Sequence, residues 1–81
     1  MARIRKLIAD DEPARSPRTE VDCKYGVTHA ADGTKLLRLA TLGSEMRKST
    51  PKPSQIIEID ADIAQQLLEV IQSTFPKVRE R

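Results

Sequence analysis

Eighty-one residues allow a single small domain. Lys and Arg number 14 against 12 Asp and Glu, a formal net charge of +2, and that balance alone singles out no polyanionic partner. One cysteine and one histidine exclude an intrachain disulfide and leave too few ligands for a Cys/His zinc site, so no cofactor is expected and self-pairing is the open route to extra core.

No apolar run approaches the roughly 20 residues that cross a bilayer. Residues 1–8 carry positive charge with no long apolar stretch behind them, unlike a secretory signal. A lone cysteine fits a reducing compartment. These features lead us to expect a cytoplasmic protein with no membrane partner.

In chain order, residues 3–8 read either as a short strand or as part of a disordered arm, and residues 10–17, with three acids, Pro13 and Pro17, read as a loop. We take 1–18 as an N-terminal arm, 19–76 as the folded domain and 77–81 as a basic tail. Residues 19–28 alternate: Val21, Cys23, Tyr25 and Val27 share one face, Glu20, Asp22, Lys24 and Thr28 the other. Period two with one apolar face predicts a half-buried strand, with the apolar set inward. Asp32-Gly33 then predicts a hairpin turn, because glycine accepts positive φ without steric cost. Residues 35–42 return with Leu37 and Leu39 on one face and Leu36, Ala40 and Leu42 on the other, the mark of a central strand. Residues 43–53 form a polar, basic loop, and 54–59, Ser-Gln-Ile-Ile-Glu-Ile, a further strand rich in β-branched residues.

Asp60 suits a helix N-cap and Asp62 suits the first turn. The helix is predicted from Ala61 to about Phe75, where Pro76 stops it by pushing the preceding residue out of helical ψ. Ile63, Leu67, Val70, Ile71 and Phe75 form an apolar stripe that Ala64 and Leu68 widen. A small sheet covers only part of such a stripe. A homodimer is therefore expected, with Ile63, Leu67, Leu68, Val70, Ile71 and Phe75 at its interface. The fold class is α+β: a small, twisted antiparallel sheet of three to four strands closed by one C-terminal helix, in the order ββββα.

Nothing in the chain assembles catalytic chemistry. The three glycines are scattered, so no phosphate-binding loop is formed, and His29 stands beside a turn with no acid paired to it. Cys23 reads as a small inward hydrophobe rather than a reactive thiol. Capping and helix-dipole complementarity account for Glu58, Asp60 and Asp62 more simply than a metal does. The expectation is a non-enzymatic protein. The segment Arg47-Lys48-Ser49-Thr50-Pro51-Lys52 has the most binding content, with three cations and two hydroxyls suited to phosphates. Aromatic platforms for single strands are scarce: Tyr25 and Phe75 are the two aromatic residues. Stacking would fall to arginine planes such as Arg38 or Arg47, or to Tyr25 if its strand presents the opposite face.

The element order, with the run ADGTKLLRLATLGSEMRKSTPKPSQIIEIDADIAQQLLEVI over residues 31–71, resembles the transcriptional positive cofactor four family of single-stranded-DNA-binding coactivators and their bacterial relatives. The matching places are Asp32-Gly33, residues 35–42, 45–52 and 55–59, and Asp60. The chain departs from the family's usual Gly-Lys-Gly or Arg-Lys-Gly at Lys52-Pro53-Ser54, and has Leu42 where an aromatic is common. The resemblance implies a helix-mediated homodimer, and a nucleic-acid-facing set at Lys24, Lys35, Arg38, Arg47, Lys48 and Lys52. The expected function is single-stranded nucleic-acid binding in transcription or DNA maintenance. The alternative is a small adaptor of a phage-related or defence-related assembly, docking a protein partner through the helix face.

Overall fold

The computed structural model describes residues 1–12, 16, 20–43 and 53–78, and the side chains of all of these but Pro53 and Ser54. Four strands and one helix follow one another: β1 (Ala2–Arg3), β2 (Cys23–His29), β3 (Lys35–Leu42), β4 (Pro53–Ile59) and α1 (Ala61–Thr74). The strands form one sheet in the order β1-β4-β3-β2. Pairs β2–β3 and β3–β4 are antiparallel, as expected, but β1 adds parallel to β4 with Ala2 beside Ile57 and Arg3 beside Glu58. The sheet is therefore mixed rather than antiparallel. The parallel start is two residues long, and Ile4 extends it by donating its N–H to the Glu58 carbonyl at 2.8 Å.

The β2–β3 hairpin turns where Asp-Gly places it. The Gly33 N–H donates to the Ala30 carbonyl at 2.9 Å, and Gly33 takes φ of 90°, a conformation that favours glycine. Asp32 braces the turn, accepting from the Thr34 hydroxyl at 2.7 Å and the Thr34 N–H at 3.0 Å. At the other end of the chain, α1 closes through Phe75, whose N–H donates to the Ile71 carbonyl at 2.8 Å.

Register sorts the sheet's side chains into two faces, because residues directly opposite each other point the same way. One face carries Leu36, Arg38, Ala40, Ile56 and Glu58; the other carries Tyr25, Val27, Leu37, Leu39 and Ile57. Burial falls on the first. Leu36 and Ala40 are buried and its other members are half-buried, whereas Tyr25, Val27, Leu37 and Ile57 are exposed. Ile63 of α1, 4% exposed, joins this core, so the helix lies over the Leu36–Ala40 face. Ile59, opposite Leu37 and so on the other face by register, is also buried, at the corner where β4 turns into α1.

The expectation that Val21, Cys23, Tyr25 and Val27 point inward is overturned: all four are exposed, and Cys23 is a free, exposed thiol. Alternation correctly groups these residues but does not say which face a helix covers. With β2 at the sheet edge and the helix on the other side, their face stays open.

Substitutions should divide along the same line. Ile63→Ala should cost about 2–5 kcal/mol in urea unfolding through the lost burial and the cavity left behind. Ala40→Leu should cost about 1–3 kcal/mol by overpacking beneath the helix. Tyr25→Ala should stay within about 0.5 kcal/mol, as an exposed position does.

Candidate nucleic-acid interface

The open face is built from the three long strands. Tyr25 stands opposite Leu39, which stands opposite Ile57; Val27 stands opposite Leu37, which stands opposite Ile59. Two rows of side chains thus cross the sheet: one has Tyr25 at its end, 81% exposed, and the other ends in the buried Ile59, where Val27, Leu37 and Ile59 border a groove with Ala61 and Ala64 of α1. Lys35 and His29, which pair in register, bound the face at the hairpin end. Thr41 and Gln55, opposite each other, bound it at the other end, where β3 leads into the segment carrying Arg47, Lys48 and Lys52.

Of the expected nucleic-acid-facing set, Arg47, Lys48 and Lys52 lie outside the described residues. The other three divide between the faces. Lys35 belongs to the open face, whereas Lys24 and Arg38 share parity with Ala40 and Gly26 on the helix side. Lys24 is exposed and Arg38 is half-buried opposite Glu58. Tyr25, absent from that set, is 81% exposed on the open face. Its position on an edge strand across from a central leucine leaves the ring uncovered on its outer side.

The expected dimer-interface set also divides. Ile63 is consumed by the protomer's own core, and Leu67, Leu68 and Ile71 are half-buried. Val70 and Phe75 are exposed. The N-terminal segment approaches the helix as well: Leu7, Ile8 and Ala9 line a shallow groove with Gln66, Leu67 and Val70. Val70 is 52% and Phe75 59% exposed, so part of the stripe stays open.

Asp60 ties the elements together. Its carboxylate accepts from the Ile63 N–H at 3.0 Å as the helix N-cap and meets the Arg3 guanidinium at 3.0 Å, joining β1 to the start of α1. The backbone bond from Ile63, then the Arg3 contact, hold this carboxyl below its ordinary range. Asp32 is lowered in the same direction, first by the Thr34 hydroxyl and then by the Thr34 N–H. Among the described residues no three His, Cys, Asp or Glu side chains are grouped to hold a metal ion, and no helix is long and apolar enough to cross a membrane.

No protein-family model, curated protein or solved structure matches the chain.

A depressed carboxyl makes folding favour the ionised form. Its stabilising effect is complete above the ordinary carboxylate range and is lost as pH falls through the lowered value. Asp60→Asn keeps a capping oxygen and removes the charge. The variant should be less stable than wild type at neutral pH, and the difference in melting temperature should shrink between about pH 5 and pH 2. A difference that stays constant through that range would assign the effect to something other than the ionised carboxylate.

Proposed function

We propose that this chain binds single-stranded nucleic acid across the open face of its sheet, with a base stacked on Tyr25 and phosphates neutralised by cations around the rim. The observation that carries this reading is Tyr25, 81% exposed and planted on a strand in register with Leu39. An aromatic ring on a rigid, otherwise apolar sheet is a stacking platform for any base, since every base has a π-face. Lys35 supplies charge on that face, and Arg47, Lys48 and Lys52 follow in the β3–β4 connection. The resemblance to single-stranded-DNA-binding coactivators points to the same ligand class.

A second reading is a protein-interaction subunit, favoured by Ile8, Val70 and Phe75, large apolar side chains left exposed on and beside the helix.

Fluorescence anisotropy with a labelled single-stranded oligonucleotide, and its duplex as comparator, tests the first reading. Tyr25→Ala should weaken single-strand binding by about 5- to 150-fold, the loss of one stacking contact, and Tyr25→Phe should retain it. Wild-type affinity in the alanine variant would remove the stacking face from the site. Replacing Arg47, Lys48 and Lys52 together with alanine should reduce the log–log salt slope by about 2, at roughly 0.7 for each single-strand phosphate contact.

A further inference from the structure

The outer edge of β2 is the surface with the most specific geometry. β2 ends the sheet, and among the described residues only β3 pairs with it. Asp22 accepts from the Leu42 N–H at 2.9 Å, and the Ala30 N–H donates to Thr34 at 2.8 Å. In the same register, the even-numbered residues of β2 direct their backbone groups to β3. The odd-numbered residues, Cys23, Tyr25, Val27 and His29, therefore turn their N–H and C=O groups outward, as a template for another strand.

We infer that this edge pairs with the same edge of a second copy, β2 against β2 antiparallel about a two-fold axis through Gly26. The strand Cys-Lys-Tyr-Gly-Val-Thr-His is self-complementary in that register. Tyr25 faces the partner's Val27 and Cys23 faces the partner's His29. Each of these pairs uses the outward backbone groups on both sides. Lys24 faces the partner's Thr28, so no like charges oppose each other along the strand. Gly26 faces the partner's Gly26 at a non-hydrogen-bonded position, where Cα atoms come closest, about 4.5 Å apart. Sliding the register by two residues in either direction shortens the overlap and places Tyr25 or Val27 against its own copy.

Several features favour a second copy over solvent. The seven residues of β2 contain no proline and no bulge, and Lys24 is the one edge guard of the usual kind. Tyr25 and Val27, 81% and 64% exposed, would each gain an aromatic–β-branched partner across the axis. The helix, which the sequence alone would place at the dimer centre, has already committed Ile63 to its own sheet. Pairing at β2 keeps both helices on one side and joins the two open faces into one surface, with the two copies of Tyr25 flanking the axis. This association does not depend on the nucleic-acid reading.

Sedimentation equilibrium and oxidative crosslinking test it in the full chain. Wild type should sediment at twice the chain mass at micromolar concentration. His29→Cys should form a disulfide-linked dimer under mild oxidation, because hydrogen-bonded antiparallel pairs lie about 5.5 Å apart at Cα, within disulfide reach. Positions 23 and 29 of one chain lie about 20 Å apart along the strand, so the two thiols of that variant cannot bond to each other within a protomer. Val27→Pro removes an outward N–H that the protomer does not use, and should raise the dimer dissociation constant by about tenfold or more. Its far-ultraviolet circular dichroism should remain that of wild type; should the variant unfold instead, the crosslink decides. A monomeric wild type, or a dimer that neither crosslinks through His29→Cys nor responds to a folded Val27→Pro, overturns the assignment. Oligonucleotide binding that persists in a monomeric, folded Val27→Pro would leave the stacking site standing and separate the two proposals.

Discussion

One helix covers one face of a sheet. The sheet has two faces, and α1 shelters the one that carries Leu36 and Ala40. With Ile59 and Ile63 these make a core of few residues, consistent with the small fraction of surface that a chain of this length buries. Everything else of interest follows from what remains uncovered. Tyr25, Val27, Leu37 and Ile57 stay exposed on the other face, with Val27 and Leu37 bordering a groove against Ala61 and Ala64 of α1. Exposed apolar surface of this kind is a common mark of an interaction site.

The placement of the helix depends on a short polar hinge. Only Asp60 separates the last residue of β4 from the first of α1. Its side chain caps the helix and grips Arg3, while the parallel register puts Arg3 beside Glu58, two residues before the cap. The N-terminal segment is thereby fastened where sheet and helix meet. Leu7 and Ile8 then border one side of a groove along α1 with Gln66, Leu67 and Val70, while Ile8 and Val70 stay exposed.

The open face and the open edge belong to the same strand. The side chains of Tyr25 and Val27 define the face, and their backbone groups define the edge. A base stacked on the ring and a second strand paired to the backbone would approach from perpendicular directions. One strand can therefore offer its backbone edge to a partner and the outer face of its Tyr25 ring to a ligand.

Local chemistry made much of this readable in advance. Asp32-Gly33 specified the hairpin because only a few residues accept positive φ; the period-two run of β2 and the β-branched run of β4 specified strands; Asp60 and Pro76 bracketed the helix closely. The grouping of Tyr25 with Val27, and of Leu36 with Ala40, was also present in the alternation. Two things were not: the parallel addition of β1, and the exposure of Cys23 and Tyr25. Each turns on which side of the sheet the helix takes, and on what pairs with β4's free edge. Alternation and capping are properties of neighbours in sequence, so the chain carries them wherever it goes. The choice of covered face is made only when segments far apart in the chain pack, and until then an apolar side chain on either face looks equally like core.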